Sequence, residues 1–528
     1  MSRVSGFSGS LVPEWADVEE LKEKLSSNWE DGKEYGLAEN MLLEAFIVDS
    51  VFEEKFNELN ECLLKDLTEA EKREVLDHVK NVLRNASEDS LLDYLRYGIE
   101  YTVKRSEKRI FRLIDFENPK NNSFIYGWEI KYPGSPSNIK PDFTLFVNGI
   151  PIVIIEVKPS TRIDSHEEAI EQIRRYEQES PDLFRYVQFA IAYGYKKLFL
   201  PTYPNWRRET RLTSAQPWKI EQQRGKATIK AESIDPLLDP TIILNIVRWF
   251  TFFREREGST DKIIGRYNQY YATEKAVKRI SEYLESGKQG NGLVWHWQGS
   301  GKTYTMFYIA NKYFEEYFER NPLIFFVIDR IDLQRQLRDF IKGLKASRFK
   351  NYLGIIGSIE QLKEEITTIK RSEYKQNIIT RGIHIVLIQK FQLKELENHL
   401  INLAWEYLNH INQTNKEEYE KIRRELESLP EDEKKKRLIE LGGIRKREIL
   451  LLIDEAHRSQ YGLLASMMKN VFPNAMRFAF TGTPVFKFER NTFREFAYPP
   501  KEYYLDVYFI RDSVEDGFTL PIVYDVIQ

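Results

Sequence analysis

The sequence is poor in cysteine, in long apolar runs and in excess charge of one sign. Its 528 residues include a single cysteine, Cys62, so the chain can form no internal disulfide bond and no cysteine-based zinc cluster. No apolar run approaches the roughly 18 residues that a membrane-spanning helix needs, and the N-terminus has no apolar core of signal-peptide length. The formal net charge of −3 neither indicates nor excludes a nucleic-acid partner. We therefore expect a cytoplasmic protein with no membrane partner.

What the chain does contain is typical of a large globular protein. Hydrophobic residues make up 42% and charged residues 30% of a chain long enough for about two to four domains. From about Glu39 to Tyr101 the apolar residues recur every three or four positions, which predicts amphipathic helices. Strand-like runs follow, with one helical stretch, SHEEAIEQIRRYEQES, among them. We predict a first domain over residues 1–204 that combines helices with a sheet.

A second pattern begins after a polar segment. Residues 205–239 are rich in Arg, Gln, Lys and Pro without a clear period, so we predict a linker or an extension there. Over residues 240–528, helical patterns separate most of the runs GLVWHW, LIFFVID, IHIVLIQ, EILLLIDE and RFAFTGTP, which predicts a parallel sheet covered on both faces. The charge-dense segment 415–440, broken at Pro430, predicts a solvated helical hairpin; a partner-docking arm is the alternative.

A phosphate-binding loop is predicted by GLVWHWQGSGKTYTM, a strand followed by a glycine-rich turn and a helix. Gly299 and Gly301 allow backbone N–H groups to approach phosphate oxygens at the N-terminus of the helix. Lys302 can then reach the β- and γ-phosphates, and the Thr303 hydroxyl can bind Mg²⁺. His296 occupies the position where this pattern has its first glycine, so we expect the entry into the loop to differ.

A second part of the same site is predicted by EILLLIDEAHRS, an aliphatic strand that ends in Asp454 and Glu455. One carboxylate can lie beside the metal, and the next can orient or deprotonate the attacking water. Acids at strand ends also occur as solvated caps. Here both elements come in the right order and at the carboxyl edge where open α/β sheets bind ligands. The sequence thus predicts an ATP and Mg²⁺ site.

A hairpin in the first domain, KPDFTLFVNGIPIVIIEVK, carries another pair of acids. Asn148 and Gly149 are the strongest short-range signal for a tight turn between two strands. With a two-residue loop, Asp142 would lie opposite Ile155, and Glu156 would point to the other face. An odd loop, such as three residues with Gly149 in the left-handed conformation, or a bulge, would bring the two carboxylates to one face. We predict the odd loop.

Carboxylates on one face suit Mg²⁺, with the carbonyl of Val157 as a further ligand. Such a metal polarises a phosphodiester and lowers the pKa of a bound water. Lys158, which shares a face with Glu156, can hold that water or neutralise charge in the transition state. Gln172 and Tyr176 lie one helical turn apart and can both face the site. The pattern predicts nuclease chemistry.

The motor-like motifs carry a resemblance to a known family. GSGKT, DEAH and TGTP resemble motifs I, II and III of superfamily 2 helicases and translocases, and GRYNQYYATEKAV resembles the adenine-reading element ahead of motif I. The resemblance implies that Gln269 contacts adenine, with Arg266 or Tyr267 near it, and that motif III couples hydrolysis to nucleic-acid movement. The implied ATP-binding residues are Gln269, Arg266, Gly299, Ser300, Gly301, Lys302, Thr303 and Asp454, with Glu455 as the catalytic carboxylate and His457, Thr481, Gly482 and Thr483 as coupling residues.

The hairpin motifs carry a second resemblance. PD at residues 141–142, ExK at 156–158 and QxxxY at 172–176 are together similar to the PD-(D/E)xK nucleases of the RecB-like kind. The resemblance implies that Asp142, Glu156 and Lys158 are catalytic and that Gln172 and Tyr176 are accessory residues. Members of that family often add an acid from the preceding helix. Glu39 and Glu44 are the candidates, with an ordinary surface glutamate as the alternative reading of each.

Taken together, the motifs resemble the restriction (R, HsdR) subunit of type I restriction-modification systems. That implies an N-terminal PD-(D/E)xK domain with a mixed sheet and flanking helices, followed by a RecA-like parallel α/β motor lobe. It also implies an ATP-dependent translocase on double-stranded DNA that cuts without reading sequence and works with methyltransferase (M) and specificity (S) subunits. Two alternatives stay open. They are a repair or recombination helicase-nuclease, and an ATP-gated assembly module with an inactive nuclease.

The C-terminal part departs from the motor pattern. Superfamily 2 motors close ATP between two RecA-like lobes, and the sequence from motif III to Gln528 has no room for a second lobe. We expect either a fragment or a motor that a separate polypeptide completes. On its own the chain is expected to bind nucleotide, to hydrolyse it slowly and not to translocate. Robust DNA-stimulated ATPase activity of this chain alone would contradict that expectation.

Overall fold

The structure is a computed structural model, and its atoms divide into two compact units. The first unit comprises Met1–Tyr267 and Leu344–Ser347, and the second comprises Asn268–Gly343 and Arg348–Gln528. The residues that the structure describes are 14–104, 107–202, 215–224, 227–256, 259–288, 290–345, 347–375, 379–456, 461–487, 490–498 and 501–520. None of the helices in these ranges is both long and apolar enough to cross a membrane.

The first unit combines helices with a mixed sheet. Its helices are α1 (Glu14–Ser26), α2 (Asp49–Leu59), α3 (Glu61–Leu64), α4 (Glu69–Asn85), α5 (Glu88–Tyr97), α6 (Ser165–Glu179), α7 (Pro181–Tyr186) and α8 (Pro240–Asn245). Its strands are β1 (Glu30–Asp31), β2 (Ile99–Val103), β3 (Glu107–Phe111), β4 (Phe124–Trp128), β5 (Phe143–Val147), β6 (Ile150–Val157), β7 (Phe189–Tyr193), β8 (Lys197–Pro201), β9 (Gln216–Pro217), β10 (Lys219–Arg224), β11 (Ala227–Glu232), β12 (Thr251–Arg256) and β13 (Ser259–Ile264).

The main sheet of this unit has seven strands in the order β1-β4-β5-β6-β7-β8-β9. β6 pairs antiparallel with β5 and parallel with β7, so the sheet is mixed as predicted. Every residue of β5 and β6 is buried, and helices α1, α6 and α7 all contact β6. The core between them includes Ile154, Ile173 and Ala190.

The predicted helical start at Glu39 is wrong. Residues 39–48 are not helical, and the helix begins at Asp49. The backbone N–H groups of Asn40 and Leu43 donate to the carbonyls of Glu129 and Lys131, at 3.0 and 2.9 Å. These long-range hydrogen bonds satisfy the backbone outside a helix, so tertiary pairing overrides the local apolar period. The prediction also missed α1, which packs on β6.

The predicted odd loop in the β5–β6 hairpin is also wrong. Val147 pairs with Ile150, which leaves a two-residue turn, and both turn residues have positive φ, 51° at Asn148 and 77° at Gly149. The register shifts between Leu145 and Phe146, so β6 contains one extra residue. The alternative, a bulge, therefore changes the parity of the hairpin, and it brings Asp142 into line with Glu156.

The second unit is built on a parallel sheet. Its helices are α9 (Tyr267–Ser286, of which Tyr267 belongs to the first unit), α10 (Lys302–Glu316), α11 (Ile331–Lys342), α12 (Ile359–Ser372), α13 (Leu393–Thr414), α14 (Lys416–Ser428), α15 (Glu431–Gly442), α16 (Tyr461–Val471), α17 (Thr492–Phe496) and α18 (Ile510–Glu515). Strands β14 (Asn291–His296), β15 (Leu323–Ile328), β17 (Leu353–Ile356), β18 (Gly382–Leu387), β19 (Ile449–Asp454), β20 (Met476–Thr481) and β23 (Asp506–Tyr508) form the sheet. The short strands β21 (Phe486–Lys487) and β22 (Arg490–Asn491) pair with each other. Strand β16 (Leu344–Lys345) belongs to the first unit, where it pairs with β12.

The order of this sheet is β17-β18-β15-β19-β20-β14-β23, and all of its pairs are parallel. Its core contains large aliphatic and aromatic side chains such as Phe325, Leu451 and Ile366, all fully buried. The sheet confirms the parallel α/β architecture that the alternating runs predicted.

The charge-dense segment 415–440 contains α14 and α15. They pack on α13 through a small apolar core of their own that includes Leu408, Ile422 and Leu438. The domain boundaries at residues 204 and 239 stay a prediction; within 205–239, the described residues include the β10–β11 hairpin of the first unit.

Candidate functional site

The first cluster of predicted residues lies at the end of β6. The bulge brings Asp142 and Glu156 together, and the Oδ2 atom of Asp142 accepts a hydrogen bond from the backbone N–H of Val157 at 2.7 Å. The Nζ atom of Lys158 donates to Oε1 of Glu156 at 2.6 Å and to the carbonyl of Val157 at 3.1 Å. The three side chains predicted to be catalytic thus converge on one strand end.

Glu156 lies in a surrounding that strongly perturbs its carboxyl group. Its side chain is fully buried, and its Oε2 atom has no hydrogen-bond partner among the described residues. Burial, and after it the negative charge of Asp142, raise the pKa of the Glu156 carboxyl to about 8, although Lys158 acts in the opposite direction. A buried carboxylate oxygen left without a partner, beside a second carboxylate, fits the oxygen ligands that a divalent cation prefers.

Gln172 and Tyr176 lie on α6 and contact each other. The Nε2 atom of Gln172 donates to the Tyr176 hydroxyl at 2.5 Å, and that hydroxyl donates to the carbonyl of Lys140 at 2.9 Å. Burial, and next the charge of Glu156, raise the pKa of Tyr176 above its ordinary value. Tyr176 therefore stays protonated and holds the chain two residues ahead of Asp142.

The two candidates for an additional acid, Glu39 and Glu44, do not lie on a helix as predicted. Glu39 and Glu44 are exposed and lie in the non-helical segment before α2, so the helix on which they were expected does not exist there. The helix ahead of these residues in the chain that packs on β6 is α1, and the Asp17 carboxylate on it accepts from the backbone N–H of Ser160 at 2.9 Å. The sequence signal for α1 was the apolar spacing of Val18, Leu21 and Leu25.

The raised pKa of Glu156 predicts a pH-dependent stability. Between its ordinary value of 4.5 and about 8, the folded chain keeps a proton on Glu156 that the unfolded chain releases, so this carboxyl lowers stability as pH rises through that window. The Glu156→Gln variant has no carboxyl group at this position, so it has no such dependence on pH. We expect the free energy of unfolding of the variant to increase by about 4 kcal/mol relative to that of the wild type between about pH 5 and about pH 8.5.

Urea unfolding at a series of pH values in EDTA measures this difference. Glu167→Gln, an exposed glutamate on the same helix as Gln172, is the matched control and should follow the wild type at every pH. Parallel pH profiles for the wild type and Glu156→Gln would contradict the expectation.

The second cluster of predicted residues lines a cavity of about 490 Å³ in the second unit. Because β14, β19 and β20 are parallel, their carboxyl ends meet at one edge of the sheet. The phosphate loop, the acids after β19 and the turn after β20 therefore share this cavity. The predicted residues that line it are Gly299, Gly301, Lys302, Thr303, Asp454, Glu455, Gly482 and Thr483.

The phosphate loop has the backbone that its glycines predicted. Gly299 and Gly301 have φ values of 85° and 81°, a conformation that other residues rarely adopt. Helix α10 starts directly at Lys302, whose Nζ atom lies 3.8 Å from Oε1 of Glu455. Ser300 is buried. The two acids and the loop thus line the same cavity, with Glu455 beside Lys302.

His296 explains how the loop departs from the usual pattern. Its imidazole is buried, and its Nε2 atom lies 2.6 Å from Oδ2 of Asp506 in β23. The Oδ1 atom of Asp506 accepts from Lys275 of α9 at 2.7 Å. A glycine at this position would lack the contact, so the entry into the loop is tied to the neighbouring strand through a side chain.

The three residues predicted to lie near adenine belong to different units, Gln269 to the second and Arg266 and Tyr267 to the first. Gln269 is buried, and its Nε2 atom donates to the carbonyls of Ser300 and Gly301, both at 3.4 Å. It therefore lies directly against the phosphate loop. Arg266 and Tyr267 belong to the first unit, and their role stays a prediction.

The turn after β20 contacts the phosphate loop. Trp295 donates from Nε1 to the carbonyl of Gly482 at 3.1 Å, and a Cβ atom on Gly482 would lie 3.3 Å from the backbone nitrogen of Gln298. The backbone N–H of Thr483 donates to the Thr481 hydroxyl at 3.1 Å, which closes the turn. His457, the fourth predicted coupling residue, lies outside the described residues.

Four residues of this cavity were not predicted from the sequence, namely Trp297, Gln298, Arg330 and Leu333. Arg330 and Leu333 line it from the start of α11, on the strand-to-helix connection after β15. Arg330 follows the run LIFFVID almost directly, so the rule that ligands bind beyond the carboxyl ends of parallel strands could have found it.

The fold and the two sites define a class of protein that joins a carboxylate–lysine cluster on a mixed sheet to a phosphate-loop unit on a parallel sheet. Comparison with protein families agrees with this division. Residues 268–527 match the family described as SWI2/SNF2 ATPase, and residues 22–209 match the one described as type I restriction enzyme R protein N terminus. The chain belongs to the family of type I restriction enzyme R proteins.

Individual relatives support this assignment. The MjaVIIP endonuclease subunit of Methanocaldococcus jannaschii is 49% identical over 490 residues, which cover 83% of this chain and 46% of that protein. The type I restriction enzyme HindI endonuclease subunit of Haemophilus influenzae is 28% identical over 552 aligned residues, which cover 96% of this chain and 46% of that subunit. The chain thus spans less than half the length of these relatives.

Proposed function

We propose that this chain supplies the nuclease and ATP-binding parts of a type I restriction enzyme R subunit. In this proposal the first unit is a metal-dependent endonuclease that cuts DNA without reading sequence. The second unit is the first lobe of an ATP-dependent translocase on double-stranded DNA. The observation that carries the proposal is the convergence of Asp142, Glu156 and Lys158 on one strand end, in a chain that also contains a glycine-rich loop at the start of a helix.

The nuclease residues have separate tasks in this proposal. Asp142 and Glu156 would hold a divalent cation, which when bound polarises the phosphodiester and acidifies a water. Lys158 can hold a water for in-line attack or neutralise charge that develops on the phosphate. Tyr176 and Gln172 keep the backbone before Asp142 in place through the carbonyl of Lys140.

The ATPase residues divide in the same way. The backbone N–H groups around Gly299 and Gly301 and the side chain of Lys302 would bind phosphate oxygens. Thr303 and Asp454 would hold the Mg²⁺ ion that accompanies ATP, and Glu455 can orient the attacking water. The turn at Gly482 contacts the phosphate loop directly, so a change in the nucleotide can alter its position.

The partners are also part of the proposal. Relatives of this chain are named as endonuclease subunits of type I restriction enzymes. We therefore expect double-stranded DNA as the substrate and M and S subunits as the partners that recognise the target sequence.

Nicking of closed circular duplex DNA tests the proposed nuclease. Two circles of unrelated sequence are incubated with the chain in Mg²⁺, in Mn²⁺ and in EDTA, with and without M and S subunits. We expect metal-dependent nicks in both circles. Digestion of linear DNA from its ends, with the circles left intact, would favour the helicase-nuclease alternative, and inactivity under every condition would favour the inactive assembly module.

A further inference from the structure

Arg330 is a cationic residue of the nucleotide cavity to which no role has been assigned. It lies two residues after the end of β15 and caps the N-terminus of α11 with an extended backbone, φ −121° and ψ 139°. It lines the same cavity as Lys302, Thr303 and Asp454. Its side chain is exposed, so it is available to a ligand in that cavity.

The other cations near Arg330 have carboxylate partners. Lys302 faces Glu455 at 3.8 Å, and on α11 the side chains of Arg335 and Arg338 pair with Asp332 and Asp339 at 3.8 and 2.7 Å. Arg330 forms no ion pair or side-chain hydrogen bond within the part of the chain that the structure describes. An unpaired guanidinium in the wall of a cavity that contains a phosphate loop is placed to receive an anion.

The order of the strands indicates which part of a nucleotide Arg330 would meet. Along the sheet, β15 and β14 are separated by β19 and β20, and neighbouring strands lie about 4.8 Å apart. The phosphate loop follows β14, with Gln269 packed against it at Ser300 and Gly301. Asp454 ends β19. A nucleotide with its base near Gln269 and its phosphates on the loop would therefore extend its last phosphate towards β19 and β15.

Packing holds α11 against the phosphate-loop helix. The ring of Phe340 lies 4.9 Å from that of Tyr304 and 5.1 Å from that of Phe307, both on α10. Phe340 and Phe307 are buried. The backbone of Arg330 is thus placed by a rigid helix pair, so only its own side chain must be ordered when a ligand binds.

We infer that Arg330 contacts the terminal phosphate of ATP and lets the second unit distinguish ATP from ADP. The inference rests on the proposed ATP site and adds a residue from the same unit that contacts the γ-phosphate. A guanidinium can donate two parallel hydrogen bonds to phosphate oxygens, whereas ADP has no oxygen at that place. Affinity for ATP, but not for ADP, then depends on Arg330.

Calorimetric titration of the whole chain with ATP and with ADP, in the presence of Mg²⁺, tests the inference without requiring hydrolysis. We expect Arg330→Ala to lower ATP affinity about tenfold and to leave ADP affinity within about twofold of the wild type. Arg330→Lys should retain part of the preference for ATP. Arg335→Ala, on the same helix and paired with Asp332, is the matched control and should bind both nucleotides as the wild type does.

Three other results of the titrations would contradict the inference. If Arg330→Ala binds ATP as tightly as the wild type, the inference is wrong. If it loses ATP and ADP affinity equally, with an unchanged melting temperature, Arg330 acts on something common to both nucleotides and the γ-phosphate assignment falls. A wild-type chain that binds neither nucleotide overturns the ATP site itself, and the inference with it.

Discussion

Replacement of Lys158 by alanine should lower the nicking of closed circular DNA by about 100-fold or more. The Lys158 ammonium is the cation in contact with Glu156, at 2.6 Å, and its position on the strand end allows it to reach the reacting phosphate or water. Loss of this charge removes stabilisation that is needed most in the transition state. Initial rates of nicking in Mg²⁺, compared between wild type and variant, measure the effect.

Controls separate this role from a structural one. Lys196→Ala removes an exposed lysine from the turn between β7 and β8 in the same unit and should cut at the wild-type rate. Metal affinity from calorimetry should change far less than the cutting rate, because the proposed metal ligands are the carboxylates. Nicking by Lys158→Ala at the wild-type rate would remove Lys158 from the mechanism, and an equal loss in Lys196→Ala would point to nonspecific loss of DNA binding.

Replacement of Lys302 by alanine should lower the affinity for both ATP and ADP by roughly 100-fold. This lysine begins α10, lies in the cavity with the glycine-rich loop and faces Glu455. Without it, the phosphates lose a charge-assisted hydrogen bond, and Glu455 loses a cation that lies 3.8 Å away. Titration with each nucleotide in Mg²⁺ measures the loss.

Lys342→Ala, an exposed lysine at the end of α11, is the matched control and should bind as the wild type does. ATP affinity of Lys302→Ala within about twofold of wild type would be incompatible with a phosphate-loop site. The same variant also tests the link between the two activities, because ATP-independent nicking should persist in it if the nuclease is complete in the first unit.

Local pattern was enough to predict the strand, turn and helix of the proposed phosphate site. The strand, the turn with Gly299 and Gly301, and the helix starting at Lys302 are continuous in sequence, so their relative placement depends on short-range backbone geometry. Asp454 and Glu455 end a buried aliphatic strand, and parallel strands present such ends at one edge. Glu156 and Lys158 could likewise be predicted to share one face, because residues two apart on a strand point to the same side.

Other features depended on contacts between distant parts of the chain. The helix expected at Glu39 is absent because the backbone there bonds to Glu129 and Lys131. His296 meets Asp506 because strand order makes β14 and β23 neighbours, which no local pattern encodes. Arg330 enters the nucleotide cavity because β15 lies beside β19.

The sequence by itself was enough to propose the two chemistries and the residue types that would carry them, and to predict the parallel architecture of the second unit, since these depend on motifs and on the alternation of apolar runs with helices. Only the tertiary structure decided whether Asp142 could join Glu156. Beyond the two-residue turn at Asn148 and Gly149, β6 contains a single extra residue. This residue shifts the pairing of the earlier part of β5 by one position, so that Asp142 is in line with Glu156 rather than with Ile155. That residue's position depends on how both strands pack in a fully buried sheet, and packing is a property of the whole unit rather than of the hairpin.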